Sequence, residues 1–499
     1  EIVRNFTDFI RKEDKTHLLA FCLILLSSIF IRIYYLFHPM LYDEAFTFLA
    51  FASKPLYLGL SNYLFPNNHI FHTFFVHISY LLFGNVPWAI RLPALIAGIL
   101  LVPASYMTIR ILYDKYAALL TAALVGSSWI LIEHSTHARG YTLLCLIFLL
   151  ILTLSAHLVK SKDSDPATWL LFVMLSALGF YTIPIMFYPF GVVAAWLFLS
   201  IISQDKNPKK RFTLKIFFAS MAGVIFLTLM LYFPVFVATG PGSVINNPFV
   251  QSYQMSVFLS DLPSFLRVVW HQWNMAIPVG LQFFLIIGFL ISTVFHKKLC
   301  EYRIPLVLAA IIWLAPALLI QRIFGGPRIW LFLLPLYLGL ASSGISYLLT
   351  RSIKSKPLHH KSIIAAILAV TLSFGLILNV VRTYSFYYSD HKKECGDAEQ
   401  IAIFLKNNLK PEDIVVALKP INVPLQYYCE LYGVPVSVQR LISKLDFSHR
   451  IFVVVNQGKT VKGILREAGF ADTRSITSKI IQEFKFLTLY EISGSSFHP

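Results

Sequence analysis

The chain has 499 residues, of which 57% are hydrophobic and only 13% charged, and its mean hydropathy is +0.67. Soluble domains carry about twice this share of charged residues, so the composition excludes a soluble enzyme and indicates a polytopic α-helical membrane protein. The formal net charge of +17 would also fit a nucleic-acid partner, unless the basic residues follow the membrane topology.

Hydrophobic runs near the ~20 residues that a membrane-spanning helix needs recur along the chain. The first run follows "RKEDK" and has no small-residue cleavage site after it, so we expect a signal anchor rather than a cleaved peptide. About eleven spans are predicted, at residues 17–37, 88–111, 116–134, 140–159, 167–183, 185–203, 213–237, 279–296, 304–321, 328–350 and 362–383.

The segments between these spans alternate in basic content. One side, counted with the N-terminal tail, carries 20 Lys and Arg residues, and the other carries six. The positive-inside rule makes the basic side cytoplasmic, which leaves the C-terminus outside. The excess of Lys and Arg therefore reflects the orientation of the chain in the membrane. We predict a multi-pass protein of the plasma (inner) membrane with no nucleic-acid partner.

The loop after the first span contains two further apolar stretches. "HIFHTFFVHISYLLFG" (69–84) is short for a crossing, and three histidines interrupt it. We predict an amphipathic helix in the outer interface for this stretch and for "AFTFLAFASKPLYLGL". Residues 38–87 then form one external loop with juxtamembrane helices.

The residues after the last span change in character, which predicts a transmembrane domain at 1–383 and a small extracytoplasmic α/β domain at 384–499. Helices are predicted for "DAEQIAIFLKNNL", "NVPLQYYCELYG" (ended by Gly433) and "TVKGILREAGF". Strands are predicted for "DIVVAL", "HRIFVVVNQ" and "SKIIQEFKFLTLYEI". Cys395 and Cys429 share this domain and form either a disulfide or two buried thiols.

Charged groups are rare on the predicted external side of the membrane part. Its carboxylates are Asp43, Glu44, Glu133 and Asp261, and its arginines are Arg91, Arg139, Arg267, Arg322 and Arg328. Guanidinium groups at fixed positions bind phosphate, and a carboxylate can take a proton, so this face fits a phosphorylated lipid substrate. The alternative for each arginine is an anchor to lipid headgroups at a helix end.

Several motifs, in order, resemble a known family. "LYDEAFTF", "NNHIFHTFF", "LFGNVPWAIRLPALIAGILLVP" and "STHARGYTLL" resemble the N-terminal half of GT-C glycosyltransferases. The similarity is to the branch of protein O-mannosyltransferases and lipid A aminoarabinose transferases. It covers roughly residues 20–200, and "GGPRIWLFLLP" is similar to a later span of bacterial relatives.

The resemblance implies a GT-C-like fold and an inverting hexosyl or pentosyl transfer. The donor would be a polyprenyl-phosphate sugar, the acceptor a lipid, glycan or protein at the external membrane face, and no cofactor would be needed. Asp43 matches the base that activates the acceptor, and Glu44 completes the "DE" pair of the catalytic loop. From the residues alone, Asp43 would equally fit a cap at the N-terminus of the next helix.

The resemblance also implies a substrate-binding set. His69 lies where relatives have a residue close to the donor phosphate, although Ile70 follows it here in place of proline. The full predicted substrate-binding set is His69, Arg91, Arg139, Tyr141, Arg322 and Arg328.

A metal site is not predicted. The sole Asp-x-Asp, Asp163 to Asp165, falls on the cytoplasmic side of the predicted topology. "EHSTH" offers Glu133, His134 and His137, but histidines at this spacing more often form hydrogen bonds at the interface.

Two other classes of function stay open. A transporter or flippase of lipid-linked glycans would be expected to have internal repeats and ionisable groups near the bilayer midplane. A receptor-like scaffold would use the C-terminal domain for binding and would leave the external arginines without a role.

Overall fold

The computed structural model describes residues 14–160, 165–204, 210–247, 250–352, 357–383, 393, 395–435, 438–439, 450–456, 458–469 and 476–493. The contacts divide the chain into two compact units. The first contains the residues up to Tyr35, then Tyr57–Phe75 and Arg91–Thr383. The second contains Leu36–Leu56, Val76–Ile90 and the residues after Thr383. The second unit thus combines parts of the predicted first loop with the predicted C-terminal domain, and the division at 383/384 stays a prediction.

Helices account for most of the described chain before residue 384. They are α1 (Lys15–Leu36), α2 (Tyr42–Thr47), α3 (Leu56–Ser61), α4 (Ile70–Phe83), α5 (Pro87–Leu112), α6 (Lys115–Ser127), α7 (Trp129–Ser135), α8 (Tyr141–Lys160), α9 (Pro166–Thr182), α10 (Phe187–Ile202), α11 (Lys210–Thr239), α12 (Gly242–Ile245), α13 (Met255–Trp273), α14 (Val279–Val294), α15 (His296–Leu299), α16 (Leu306–Gln321), α17 (Leu333–Ser352) and α18 (Leu358–Thr383). A π-helical turn follows α2 at Phe48–Ala52, and 3-10 turns lie at Pro184–Met186 and Pro327–Trp330.

Among the described residues, seven helical segments are long and apolar enough to cross a membrane, and the bent pair α6 and α7 would make an eighth span. Four shorter apolar helices, α4, α9, α14 and α16, have 14 to 17 residues. A multi-pass membrane protein is therefore confirmed. The count of eleven stays a prediction, because three of those spans correspond to the shorter helices α9, α14 and α16.

The predicted span 116–134 is wrong as one continuous helix. The chain bends by 60° between α6 and α7, where Ser128 has an extended backbone. The buried guanidinium of Arg32 in α1 lies beside this bend and donates to the carbonyl of Gly126 at 2.8 Å and to Ser135 Oγ at 3.2 Å. Arg32 therefore satisfies a helix carbonyl at the break, which is a structural role.

The chain between the predicted spans 213–237 and 279–296 contains a helix that was not predicted. Helix α13 spans Met255–Trp273 and carries Asp261. Two of its phenylalanines, Phe258 and Phe265, stack on Phe324 at centroid distances of 4.6 and 4.8 Å. These aromatic contacts fix α13 against the segment between α16 and α17.

The core of the first unit is centred on α6. Every residue from Tyr116 to Ser127 is buried. Its small and aliphatic side chains allow α17 and α18 to pack closely against it. At its start, the side chain of Asp114 accepts the backbone N–H groups of Tyr116 and Ala117, which caps the helix.

The described tail contains three helices and a five-stranded sheet. The helices are α19 (Ala398–Asn408), α20 (Asn422–Tyr432) and α21 (Val461–Glu467), and the strands are β1 (Ile414–Val416), β2 (Val438–Gln439), β3 (Ile451–Asn456), β4 (Thr477–Glu483) and β5 (Leu487–Ser493). The strand order is β2-β1-β3-β5-β4. The first three strands pair in parallel, and β5 and β4 add antiparallel.

The predicted helices of the tail are confirmed, including the end of α20 at Gly433, which has a left-handed backbone with φ of 67°. The strand predicted for residues 478–492 is wrong as a single element, because it is the β4–β5 hairpin. Strand β2 was not predicted. Cys395 and Cys429 are both buried free thiols, which decides between the two alternatives for this pair.

Candidate functional site

A cavity of about 980 Å³ lies within the first unit. We call it the Arg139 cavity. Aromatic, amide and cationic side chains all contribute to its lining, which suits a ligand with both apolar and charged parts. Its lining includes Tyr63, Asn67, His69, Arg139, Tyr141, Tyr188, Asn247, Tyr253, Gln321, Phe324 and Arg328.

Four of the residues predicted to bind substrate meet at this cavity. Arg139 is buried, and its Nη1 donates to the carbonyl oxygen of Asn67 at 2.8 Å. The guanidinium carbons of Arg139 and Arg328 lie 5.9 and 5.6 Å from the centre of the Tyr141 ring. His69 meets the same ring edge-on, with centroids 4.9 Å apart. The Tyr141 ring therefore lies within cation–π distance of both guanidinium groups.

Both ring nitrogens of His69 have a close polar neighbour. Its Nδ1 lies 2.8 Å from the backbone N of Gly140, and its Nε2 lies 3.1 Å from Arg139 Nη2. The backbone N–H of Gly140 can only donate, so Nδ1 accepts. Burial lowers the pKa of His69 well below its ordinary value, and the nearby Arg139 adds to this effect.

This arrangement has a chemical consequence. In a neutral ring whose Nδ1 accepts, the proton is on Nε2, which faces a guanidinium nitrogen that also donates. Two donors therefore converge on the same region of the cavity. An anionic oxygen would accept from both, as phosphate oxygens do from arginine and imidazole N–H groups.

The local backbone explains why Gly140 separates Arg139 from Tyr141. A Cβ at position 140 would lie 2.9 Å from the methyl of Thr182 and 3.2 Å from both Cβ and Nδ1 of His69. A glycine is thus required for the N–H to approach the imidazole. The helix α8 begins at the next residue, so the turn directs Arg139 and Tyr141 into the cavity.

Two other predicted residues are placed differently. Arg91 is completely buried in α5, and Arg322 ends α16 in a left-handed conformation with φ of 50°. The carbonyl of Arg322 accepts the N–H of Tyr253 at 3.0 Å. Over the described residues, neither arginine side chain belongs to the lining of the Arg139 cavity. Their substrate-binding roles stay predictions.

Asp43 and Glu44 belong to the second unit and occupy the first turn of α2. Asp43 is half-buried, whereas Glu44 is buried and its Oε1 accepts the N–H of Leu41 at 2.9 Å. This contact satisfies a backbone donor at the helix start, as the glutamate of a capping box does. It gives Glu44 a structural task, and the catalytic role of both acids stays a prediction.

Metal binding has no geometric support in the described part of the chain, where no group of three or more His, Cys, Asp or Glu side chains could hold an ion. The rings of His134 and His137 lie 6.3 Å apart and meet edge-on. Asp163 lies outside the described residues, and Asp165 accepts the N–H of Ala167 as the cap of α9.

Sequence reasoning missed most of the uncharged lining. Tyr188 donates its hydroxyl to Oε1 of Gln321 at 2.5 Å across 133 residues, which joins the start of α10 to the end of α16. Tyr253 and Asn247 come from the segment between the predicted spans 213–237 and 279–296, where no element was predicted. Only the clustering of aromatic and amide residues at helix ends could have indicated them.

Comparison with known proteins gives a family profile and similar structures. Residues 66–214 match the profile described as dolichyl-phosphate-mannose-protein mannosyltransferase. Comparison with curated protein sequences finds no match. The matched segment includes His69, Arg91, Arg139 and Tyr141.

The solved structures extend the similarity to most of the chain. ArnT from Cupriavidus metallidurans bound to undecaprenyl phosphate is 12% identical, with a TM-score of 0.59, over 95% of this chain and 97% of ArnT. The oligosaccharyltransferase AglB from Archaeoglobus fulgidus, in complex with an inhibitory peptide and a dolichol-phosphate, is 12% identical, with a TM-score of 0.51, over 88% of this chain and 69% of AglB. At these identities the similarity establishes the fold. In fold, and in the sequence of its N-terminal half, the chain resembles the GT-C superfamily of glycosyltransferases, in the branch of the protein O-mannosyltransferases and ArnT.

Proposed function

We propose that this protein is an inverting glycosyltransferase that uses a polyprenyl-phosphate monosaccharide as its donor. It transfers a hexosyl or pentosyl group to a lipid, glycan or protein acceptor at the extracytoplasmic face of the inner membrane. The observation that carries the proposal is the convergence of Arg139, Arg328 and the Nε2 side of His69 on one cavity. The undecaprenyl phosphate bound to ArnT and the dolichol-phosphate bound to AglB support a donor of the same class.

In this proposal the cationic side chains stabilise the negative charge of the leaving group. Attack of the acceptor hydroxyl on the anomeric carbon breaks the bond from that carbon to the phosphate oxygen, and negative charge grows on the polyprenyl phosphate. Arg139 and His69 donate hydrogen bonds to its oxygens, and Arg328 adds a more exposed charge. Because Arg139 and His69 are buried, their contribution is screened less than that of a surface pair.

The acceptor needs a base. A hydroxyl is a weak nucleophile, and a carboxylate that takes its proton in the transition state contributes typically ~10²–10⁴-fold. We assign this role to Asp43, by the family motif that the sequence "LYDEAFTF" resembles. Its proton is then released to water, and one displacement inverts the configuration at the anomeric carbon.

The test is a transfer assay with the full-length protein in nanodiscs. Polyprenyl phosphate carrying a radiolabelled sugar is incubated with membrane lipids, glycans and surface proteins of the native strain. Time-dependent label in an acceptor, at a rate at least ~10²-fold lower in Asp43→Asn, supports the proposal. Movement of the donor across proteoliposomes without any covalent product would instead support the flippase alternative.

A further inference from the structure

The tail of the second unit contacts both ends of the segment that carries Asp43. The backbone N–H of Met40, two residues before α2, donates to the hydroxyl of Tyr428 at 3.1 Å. Past the end of α2, the ring of Phe48 meets the ring of Tyr427 edge-on, with centroids 5.6 Å apart. All four side chains are at most 1% exposed.

A third contact lies next to Asp43 itself. The ammonium of Lys419 lies 4.7 Å from the centre of the Tyr42 ring. Lys419 follows β1 and precedes α20, so it comes from the same part of the tail as the two tyrosines. Its attraction to the ring face orients the residue immediately before the acid.

The sequence "QYYC" explains how one helix makes two of these contacts. Adjacent residues on a helix point about 100° apart, so Tyr427 and Tyr428 of α20 reach different parts of the 40–48 segment. Tyr428 fixes the chain before α2, where a backbone donor lies outside the helical hydrogen-bond ladder. Tyr427 fixes the chain after it.

We propose that Tyr428 is a positioning residue for the acid of this segment, and that the tail therefore takes part in catalysis without touching substrate. The inference rests on the proposed function, because it takes Asp43 as the base. Misplacement of a catalytic group by about 1 Å can cost ~10²-fold in rate. Loss of one of several contacts around the segment should lower the rate by a smaller factor.

The test compares two Tyr→Phe variants of α20 in the full-length protein. Tyr428→Phe removes the acceptor of the Met40 N–H. Tyr432→Phe is the matched control, because its hydroxyl bonds to Glu399 within the tail. We expect Tyr428→Phe to lower kcat by roughly 10-fold with the affinity for polyprenyl phosphate within about 2-fold, and Tyr432→Phe to leave kcat within about 2-fold.

A double-mutant cycle separates positioning from a general loss of structure. Tyr428→Phe should have little further effect in the Asp43→Asn background, because the acid it positions has been removed. Equal losses of kcat in the two Tyr→Phe variants, or an undiminished effect of Tyr428→Phe in the Asp43→Asn background, would overturn the inference. Transfer at the wild-type rate by Asp43→Asn would instead overturn the base assignment of the proposed function, and the inference with it.

Thermal unfolding of both Tyr→Phe variants completes the test. A fall in kcat for Tyr428→Phe with an unfolding midpoint equal to that of Tyr432→Phe supports positioning. A fall in kcat that follows a lower midpoint and is reversed by cooling would show a stability effect alone, and would overturn the inference.

Discussion

The His69 region of the first unit and the Asp43 segment of the second are both built from distant parts of the chain, but by different interactions. His69 and Arg139 are buried and are held by backbone groups of Gly140 and Asn67. The segment around Asp43 is held by side chains of the tail, Tyr427, Tyr428 and Lys419. The residues proposed to bind phosphate are thus fixed by backbone groups, whereas the segment that carries the proposed base is fixed by side chains of the tail.

This difference suggests how such a protein could change its acceptor without changing its donor. Backbone contacts constrain the cations whatever side chains surround them. Side-chain contacts from the tail can vary, and they hold the segment that carries Asp43, the residue proposed to activate the acceptor. Variants in the two regions should therefore separate donor binding from the transfer step.

The largest expected effect is on the acid. Asp43→Asn preserves shape and removes basicity, so we expect transfer to fall by at least ~10²-fold while polyprenyl phosphate still binds. Initial rates with radiolabelled donor measure this, with Glu133→Gln as the control carboxylate. A near wild-type rate in Asp43→Asn with an inactive Glu133→Gln would move the base to α7.

The next effect concerns the imidazole. His69→Ala removes the Nε2 donor and the acceptor of the Gly140 N–H, so we expect donor affinity to fall by roughly 10-fold, as for a lost hydrogen bond to a charged group. His69→Asn keeps a donor and an acceptor and should recover part of the loss. Donor titrations by native mass spectrometry test this, and equal affinities in His69→Ala and wild type would remove His69 from the site.

Glu44 should behave unlike its neighbour. Glu44→Ala removes the acceptor of the Leu41 N–H and should lower the free energy of unfolding by about 1 kcal/mol, the scale of a lost helix cap. Glu44→Gln keeps an acceptor oxygen, so we expect stability and transfer rate close to wild type. Thermal unfolding and initial rates measure both properties. Loss of transfer in Glu44→Gln on the scale of Asp43→Asn would make the pair jointly catalytic.

The smallest effect is expected for Arg328, which is exposed. Solvent and salt screen such a charge, so Arg328→Ala should weaken donor binding by about 3-fold at low salt and less at high salt. Isothermal titration at two ionic strengths tests this. A loss that is larger and independent of salt would mean that Arg328 is buried when the donor binds.

Sequence reasoning located the helices well because their signal is local. An apolar run of sufficient length predicts a helix wherever it occurs, and the tail helices followed from their periodicity and from Gly433. The bend at Ser128 was missed because its partner, the guanidinium of Arg32, lies 94 residues from the carbonyl it contacts. Helix α13 was missed because Pro263 and several polar residues interrupt its apolar pattern.

In the candidate site, too, local sequence motifs predicted some features, whereas contacts between distant parts of the chain were not predicted. Family motifs indicated His69, Arg139, Tyr141 and Arg328, which the fold brings to one cavity. The same motifs also placed Arg91 in this set, because Arg91 and Arg139 each stand at the start of a predicted span. The position of a residue along a helix does not say which way its side chain points. The contacts of the tail with the Asp43 segment cross more than 370 residues of sequence, and no local pattern encodes them.

The central claim is that the Arg139 cavity binds the phosphate of the donor. The most direct measurement is the affinity for undecaprenyl phosphate of wild type, Arg139→Ala and Arg267→Ala in nanodiscs. Arg267 is the matched control, since it is an exposed arginine of α13 outside the cavity lining. We predict that Arg139→Ala weakens binding by ~1–3 kcal/mol and that Arg267→Ala leaves it unchanged. Equal affinities in all three proteins, or equal losses in the two variants, would contradict the account.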